Sequence, residues 1–450
     1  MKDSYWLPER LFWSAYLATR MRGQQKTPYW SQEKLEKVQN SRVRKIVRFA
    51  ARYVPFYREL FRRSHLNPDS FSTVADLSRL PVITPLQVRK DAGQFEPEGK
   101  KLDTLKLVSS GTTGVPRWIY HDAAAIFQNA AHGERSRFFY SCTTCRRQDL
   151  REALIVAPLK SSVQMVQRFN RTKAWFPGIV SINRMYFSLL DSMEDTIKKI
   201  NEFKPHVIRS YGSGLNMLCE HSFRTGQKFH RPELMIYSAD AMSPPLKRIV
   251  MEDLGIPVYS YYSSVECPQL GYECEKNRGY HLNEDAYPIR IVDENYRNIP
   301  DGEMGKILIS NLVNRGTVLF NYELGDEGRI IPGSCACGRT QRLLSLEIFK
   351  VGDSLTMKDG YSIHPLRFIK ALTDGKDLWQ HQIIQKDNNS FTILLVADPA
   401  ADRTAMMKRL NEEFEKWFQG RIQYTLEFVD RIELTPGGKQ RAVVLKLNGE

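Results

Sequence analysis

The chain has 450 residues, of which 42% are hydrophobic and 26% are charged, and its formal net charge is +14. Its ordinary apolar content, with 27 glycines and 22 prolines, excludes a disordered or fibrous chain, and its length predicts two or three domains, or one large and one smaller domain. No run of about 18 apolar residues occurs, so no transmembrane span is expected. The start, MKDSYWLPER, places acids and a proline where a signal peptide needs an unbroken apolar stretch. We therefore expect a cytoplasmic protein whose seven cysteines are thiols or metal ligands.

The positive charge is concentrated at the N-terminus. Residues 1–63 hold 15 Lys/Arg and 5 Asp/Glu, which gives +10 of the total of +14. This distribution argues against a specific nucleic-acid surface and for a basic N-terminal face. Between Tyr5 and Met21, aromatic and leucine side chains alternate with polar ones. The pattern fits either a helix on an anionic membrane, which would make the protein membrane-peripheral, or a helix that packs its aromatics on the core.

Short apolar runs alternate with amphipathic stretches from about residue 105 onward. Strand followed by helix, repeated, predicts an α/β fold with mostly parallel sheets. Strand signals become denser over 281–350, and the last hundred residues restart as a compact α+β alternation. The predicted parts are a basic, aromatic-rich helical region of the large domain at 1–63, a core at 64–348 and a small C-terminal domain at 349–450.

A loop of small and hydroxyl-bearing residues follows the apolar run LKLV. It reads SSGTTGVPR, from Ser109 to Arg117. Small residues let backbone N–H groups close around an oxyanion, and the hydroxyls and the arginine add donors and charge. The loop is not a Walker motif, yet it suits a triphosphate or pyrophosphate; the alternative is a flexible turn.

Four more segments that bear on function follow this loop along the chain. They are YSADA at 237–241, YYSSVE at 261–266, YELGD at 322–326 and PGGK at 436–439. Together the five segments resemble motifs of the adenylate-forming superfamily of acyl- and aryl-CoA ligases, and especially its phenylacetate–CoA ligase and CapK-like group. The resemblance runs from about residue 45 to residue 445. It implies a large adenylate-forming N-terminal domain and a small α+β C-terminal lid that rotates during the reaction.

The resemblance also assigns roles to residues. Arg117, Glu266 and Lys439 are implied to be catalytic: Glu266 suits a phosphate-bound Mg²⁺, and Lys439 brings a mobile charge to the carboxylate and the bridging phosphate. Asp326 is implied to bind the ribose hydroxyls. The implied nucleotide-binding residues are Ser109, Ser110, Gly111, Thr112, Thr113, Gly114, Ala239, Asp240, Tyr262, Asp326 and Lys350. The implied substrate-pocket residues are Tyr211, Ser213, Gly214 and Trp118.

Four positions depart from the family pattern. Arg117 replaces the usual lysine of the phosphate loop, and Val265 replaces the hydroxyl residue before the glutamate. The hinge segment reads FKVGD at 349–353 where the family has Gly-Arg-x-Asp-Asp, so Lys350 replaces the arginine and Gly352 the hinge carboxylate. Glycine has the widest backbone freedom and still permits rotation, but the half-reaction that depends on hinge positioning is the one these changes affect.

Three cysteines and a histidine predict a metal site. The set suits structural Zn²⁺ and lies in the strand-rich subregion 270–340; its members are Cys274, His281, Cys335 and Cys337. This Cys₃His arrangement resembles one in the phenylacetate–CoA ligase group. The alternative is that they are buried free thiols. A separate pair, Cys142 and Cys145, has redox or metal spacing but no second pair nearby.

We therefore predict an adenylate-forming ligase that activates an aryl or acyl carboxylic acid. ATP and Mg²⁺ would give the acyl-adenylate and pyrophosphate, and the acyl group would then pass to CoA. An amine or a carrier-protein thiol remains an alternative acceptor. The alternative from another class is a catalytically degraded nucleotide-binding or membrane-associated protein of a polysaccharide or natural-product pathway.

Overall fold

The computed structural model describes residues 7–109, 117–144, 150–156, 162–175, 182–350, 355–356, 362–363, 366–373, 375–387, 390–435, 438 and 440–445. The described helices are α1 (Leu7–Met21), α2 (Gln32–Tyr53), α3 (Pro55–Ser64), α4 (Pro85–Lys90), α5 (Ala123–Thr143), α6 (Ser162–Lys173), α7 (Met193–Phe203), α8 (Gly212–Thr225), α9 (Pro244–Arg248), α10 (Leu366–Thr373) and α11 (Arg403–Phe418). Among them, none combines the length and the hydropathy that a bilayer crossing requires.

The described strands are β1 (Thr104–Ser109), β2 (Arg117–Asp122), β3 (Leu150–Val156), β4 (Ile182–Ser188), β5 (Val207–Tyr211), β6 (Leu234–Ser238), β7 (Val258–Tyr262), β8 (Gly271–Glu273), β9 (Tyr280–Leu282), β10 (Ile289–Val292), β11 (Gly305–Ile309), β12 (Tyr322–Ile331), β13 (Leu343–Lys350), β14 (Leu355–Thr356), β15 (Ser362–Ile363), β16 (Leu378–Gln385), β17 (Ser390–Ala397), β18 (Gln423–Phe428) and β19 (Val443–Leu445).

The chain divides into two compact units, each built from separate stretches of sequence. The first unit comprises Met1–Asp149, Leu159–Ser181 and Tyr259–Glu347, and the second comprises Leu150–Pro158, Ile182–Val258 and Ile348–Glu450. The second unit thus groups the last hundred residues with segments from the middle of the chain. The three-part division expected from the sequence stays a prediction.

Strands of the first unit are arranged in the order β7-β8-β9-β13-β12-β11-β10, and the pairs β7–β8, β8–β9, β9–β13, β12–β11 and β11–β10 are antiparallel. The helix α2 covers part of this unit's core. It begins at Ser31, whose hydroxyl accepts the backbone N–H of Lys34, and it ends just before Pro55. Val43 and Val47, one turn apart, bury their side chains completely in the core.

A buried ion pair fixes α5 in the first unit. The Arg135 guanidinium donates to both carboxylate oxygens of Asp285, at 2.7 and 2.9 Å, and Arg42 of α2 adds a third contact at 3.0 Å. Burial opposes the ionised form of Asp285, but the two arginines prevail and hold its pKa below the usual range. Removing one partner of such a pair typically costs about 3–5 kcal/mol.

The second unit contains parallel strands in the order β4-β3-β5-β6. The helix α7 leads from β4 to β5, and α8 leads from β5 to β6. α7 begins at Ser192, whose hydroxyl accepts the N–H of Asp195. Buried Leu and Ile side chains of these helices pack on the strands, as a parallel sheet covered by helices requires.

The C-terminal region, residues 366–445 of the second unit, is an α+β structure. Its sheet has the order β18-β17-β16-β19, and α10 and α11 bury Phe368, Phe414 and Phe418 against it. Phe368 and Phe418 have ring centroids 4.5 Å apart. The α/β fold class with a smaller C-terminal α+β region is thereby confirmed.

Within the second unit, the C-terminal region packs on α8 and the residues after β6. Trp379 of β16 is buried in the same core as the helix α8. Beside it, the Gln380 amide donates to the carboxylate of Glu220, which is only 6% exposed. Burial raises the pKa of Glu220 to about 7, and the Gln380 amide only partly offsets this effect.

Glu220→Gln should therefore remove a pH dependence of stability. The folded-state pKa of about 7 exceeds the usual 4.5, so the ionised carboxylate destabilises the fold. This penalty is absent below pH 4.5 and grows as the pH rises through 7, up to about 3 kcal/mol. We expect Glu220→Gln to match the wild type at pH 4.5 and to unfold at higher denaturant at pH 8. Denaturation midpoints measured across this range provide the check, and parallel curves for the two proteins would contradict it.

Candidate functional site

The first unit holds Glu266 in a buried polar cluster. The glutamate follows β7 and is 3% exposed. Its Oε1 accepts a hydrogen bond from the Tyr322 hydroxyl at 3.1 Å and lies 3.5 Å from the Arg117 guanidinium. Asn311 donates to the backbone carbonyl of Glu266 at 2.8 Å. Among the described residues, both side-chain contacts fall on Oε1, which leaves Oε2 as the oxygen suited to a cation.

The protonation states in this cluster follow from burial. Burial and the neighbouring Glu266 carboxylate raise the pKa of Tyr322 above its usual range, so the phenol stays a neutral donor. Behind the cluster, His121 of β2 is buried, and its Nε2 contacts the Val265 carbonyl at 2.8 Å. Burial lowers the pKa of His121, so a neutral imidazole donates to this carbonyl and positions the residue before Glu266.

A second carboxylate of the first unit is held by Tyr262. The Tyr262 hydroxyl donates to Asp326 Oδ2 at 3.0 Å. Asp326 lies on β12, where the register against β11 is irregular and Gly325 takes φ +79°. A bulge of this kind redirects the side chains beside it. Two sequence-predicted residues, Tyr262 and Asp326, are thus brought together 64 positions apart.

Trp118 lies on β2, next to the end of the phosphate loop. Its ring is 43% exposed, and the Lys106 ammonium of β1 stands 3.8 Å from the ring centroid. The antiparallel register of β1 and β2 pairs Val108 with Trp118 and Ser109 with Arg117. The hairpin therefore fixes both ends of the loop that the sequence assigns to phosphate binding.

The second unit brings together two of the other predicted segments. Gly212 and Gly214 open α8 so tightly against their neighbours that a Cβ would meet the Ala241 backbone at 2.2 Å and the Ser210 hydroxyl at 2.1 Å. Ala239, after β6, takes φ +76°, a conformation that costs a non-glycine residue about 1–2 kcal/mol. Strained backbone of this kind is concentrated at functional sites. Tyr211 is the residue that caps this helix.

Asp240 and Ser213 hold the residues that flank Lys439. One carboxylate oxygen of Asp240 accepts the backbone N–H of Ser213 at 3.3 Å, and the other accepts the N–H of Gln440 at 3.2 Å. The Ser213 hydroxyl donates to the carbonyl of Gly438 at 2.9 Å. We call these three hydrogen bonds the loop clamp. Sequence reasoning assigned Ser213 to the substrate pocket and Asp240 to the nucleotide, and it missed their contacts with the C-terminal motif.

Several predicted residues lie outside what the structure describes. Ser109 and Lys350 are described by their backbones alone, as the last residues of β1 and β13. The residues outside the described ranges are Ser110, Gly111, Thr112, Thr113, Gly114, Cys145, Gly352 and Lys439.

Cys274, His281, Cys335 and Cys337 meet in the first unit, as predicted, with their ligand atoms all within 4.8 Å of one another. The sulfurs of Cys274 and Cys335 are 3.8 Å apart, and Cys337 Sγ lies 3.3 Å from His281 Nε2. Tetrahedral zinc with Zn–S of about 2.3 Å and Zn–N of about 2.0 Å places two sulfurs about 3.8 Å apart and a sulfur and a nitrogen about 3.5 Å apart. The observed separations therefore fit zinc.

Burial sets the protonation of Cys274 and His281 in this Cys₃His cluster. It raises the pKa of Cys274 to about 12 and lowers the pKa of His281 to about 4. The imidazole is therefore neutral, as a metal ligand must be, whereas the thiol keeps its proton until a cation displaces it.

Comparison with known proteins agrees with this architecture. A family model described as the CapK C-terminal domain matches residues 355–446. Protein CapK of Staphylococcus aureus is 19% identical over 91% of this chain and 89% of its own length. A phenylacetate–coenzyme A ligase of Thermus thermophilus is 24% identical over 74% of each chain. The chain is therefore similar to CapK and to phenylacetate–CoA ligases, in agreement with the resemblance of its motifs to the adenylate-forming group.

Structural comparison of this CapK-like chain gives the same fold. A 2-hydroxyisobutyryl-CoA ligase, solved in the postadenylation state with an acyl-AMP, superposes with a TM-score of 0.75 at 16% identity. The match covers 99% of this chain and 94% of that one. The prediction of an adenylate-forming ligase is confirmed at the level of this group.

Proposed function

We propose that the protein activates a carboxylic acid with ATP and Mg²⁺ to an acyl-adenylate and pyrophosphate, and then transfers the acyl group to CoA. The observation that carries this proposal is the buried Glu266 carboxylate, which the Tyr322 hydroxyl and the Arg117 guanidinium contact. Glu266 belongs to a series of motifs whose order resembles that of this group. Relatives named as CoA ligases support the acid and CoA as substrates. An aryl or a small acyl chain is the substrate class we propose.

Charge neutralisation is the main demand of the first half-reaction. Transferring AMP to a carboxylate brings two anions together, and the protein's contribution is positioning and electrostatics. Bound Mg²⁺ would supply part of the positive charge, with Glu266 as its carboxylate ligand. Arg117, fixed beside Glu266, adds a permanent cation at the end of the phosphate loop.

The remaining nucleotide contacts are proposed from the same geometry. Asp326 presents a carboxylate that the Tyr262 hydroxyl orients, which suits acceptance of two ribose hydroxyls. Ala239 follows β6 in a segment that, by resemblance to the group, is proposed to lie beside the adenylate. Residues 109–114, which lie in sequence between the paired ends of β1 and β2, are proposed to surround the phosphates.

Lys439 is proposed to supply the charge that stabilises the acyl-phosphate transition state. Its neighbours Gly438 and Gln440 are held by the loop clamp to the start of α8. A flexible lysine loses less entropy on reaching its target when the backbone on both sides is fixed. Ser213 and Asp240 therefore act as positioning residues for Lys439. The predicted lid rotation at 349–450 would have to break these hydrogen bonds.

A pyrophosphate-release assay across aryl and small acyl acids tests the ligase function. We expect release with at least one acid, and a fall of roughly 10²-fold or more in Lys439→Ala and Glu266→Gln, because each removes electrostatic stabilisation. Lys386→Ala removes an exposed lysine of the same unit and should retain full activity. Release that needs the acid, with thioester formed only when CoA is added, supports the CoA acceptor. ATP binding without release for every acid would favour the degraded nucleotide-binding alternative.

The loop clamp generates a separate prediction. Asp240→Asn loses one charged acceptor, so kcat for adenylation should fall about tenfold with little change in the KM for ATP. Because we propose that Asp240 acts through Lys439, the same substitution should have almost no effect in a Lys439→Ala background. Asp191→Asn, at an exposed carboxylate that also accepts a backbone N–H, is the matched control.

Steady-state kinetics of the four proteins in this double-mutant cycle decide between two roles for Asp240. Additive losses, or a loss confined to the KM for ATP, would show that Asp240 contacts the nucleotide and does not position the lysine.

We propose that the Cys₃His cluster binds one structural zinc ion. The cluster joins the β8–β9 hairpin, which carries Cys274 and His281, to the turn at Cys335–Cys337. Zinc would link these two loops, which gives it a role in stability and none in the acyl transfer.

Metal analysis of the purified full chain should find about one zinc per molecule. Cys335→Ser/Cys337→Ser should abolish zinc and lower the thermal midpoint, because two of four ligands are lost. Cys142→Ser/Cys145→Ser removes the competing cysteine pair and should keep the zinc. Retention of zinc by the first double variant, or its loss from the second, would refute the assignment.

A further inference from the structure

The N-terminal helix α1 has apolar side chains on two opposite faces. On the inner face, Trp13 stacks on Phe127 of α5 with ring centroids 5.1 Å apart, and Leu17 is buried. The outer face carries Leu11 and Phe12, which are 52% and 59% exposed, and Leu7, which is 62% exposed. The core-packing alternative from the sequence therefore accounts for only one side of this helix.

The outer face forms a continuous uncharged strip. At about 100° per residue, positions 7, 8, 11, 12, 15, 18 and 19 share one side of the helix and cover about 18 Å of its length. Their side chains are Leu, Pro, Leu, Phe, Ala, Ala and Thr, and all seven residues are exposed. A helix that is apolar on both faces is normally buried on both. This strip is the α1 outer face.

Cations border the α1 outer face, whereas the nearest acid of the helix is already paired. Arg22 follows the helix, and Arg168 and Arg171 are exposed on α6, which packs beside α1. Arg10 places its guanidinium 4.9 Å from the centroid of the exposed Trp175 ring. The one carboxylate of α1, Glu9, is neutralised by Lys173 at 2.9 Å.

We propose that the α1 outer face binds the surface of an anionic lipid bilayer. An interfacial helix needs an apolar face, flanking arginines and interfacial aromatics, and this surface supplies all three. The exposed Arg22, Arg168 and Arg171 near this face complement a negative lipid surface and would repel a second copy of the same basic patch. The helix would lie on the bilayer surface and not cross it, because only its outer face is both uncharged and exposed. The proposal is independent of the ligase activity.

Sedimentation of the full-length protein with phosphatidylcholine vesicles, with and without phosphatidylglycerol, tests it. We expect binding to the anionic vesicles alone, and loss of that binding in Leu11→Glu/Phe12→Glu. Arg168→Gln/Arg171→Gln should weaken it about 30-fold at low salt, at about 1 kcal/mol for each arginine. Leu86→Glu/Leu190→Glu adds the same two charges at exposed leucines elsewhere and should bind like the wild type.

Each variant is first checked for an unchanged thermal midpoint, so that lost binding is not lost folding. Equal binding by wild type and Leu11→Glu/Phe12→Glu, or equal binding to neutral and anionic vesicles, would overturn the proposal. So would a dimer in solution that this double variant dissociates, because the α1 outer face would then belong to a second copy of the chain.

Discussion

The structure depends on carboxylates that stay ionised although they are buried. An isolated buried carboxylate would take up a proton, so each of them needs a cation fixed beside it. In the first unit, Arg135 and Arg42 hold Asp285. In the second unit, Glu152 is almost fully buried between Arg184 and Arg209. Glu220 is the exception: burial outweighs both the hydrogen bond from the Gln380 amide and the nearby charge of Arg224, so its pKa is raised.

The same electrostatic requirement links fold and chemistry at Glu266. A carboxylate in a dry environment attracts a cation more strongly than one in water, because its field is poorly screened. Arg117 supplies a fixed positive charge 3.5 Å from the Glu266 carboxylate, and in sequence it also ends the phosphate loop. The replacement of the usual lysine by arginine is consistent with this double task, since a guanidinium offers several donors at once.

The sequence singles out candidate site residues more readily than the residues that hold them in place. Motif order singled out Glu266, Tyr262 and Asp326, which the structure places in buried polar contacts, and the three cysteines and a histidine singled out from the sequence do assemble into a cluster. Tyr322 as the partner of Glu266, Asn311, and the contact of Ser213 with Gly438 were missed. They depend on which strands and loops become neighbours, and no local pattern records that. The two-faced α1 helix shows the same limit: its composition allowed both alternatives, and only the packing of Trp13 on Phe127 shows which side is covered.

The contrast between strong and weak attachments bears on how a lid can move. The Arg135–Asp285 pair is buried, and breaking such a pair costs about 3–5 kcal/mol, so α5 is permanently fixed within the first unit. The loop clamp consists of three hydrogen bonds at 2.9–3.3 Å, each worth about 1–3 kcal/mol at most when a charged acceptor is involved. Under the proposed lid rotation, Lys439 would arrive for one half-reaction and leave for the next, and such a movement needs an attachment of the weaker kind that holds Gly438 and Gln440.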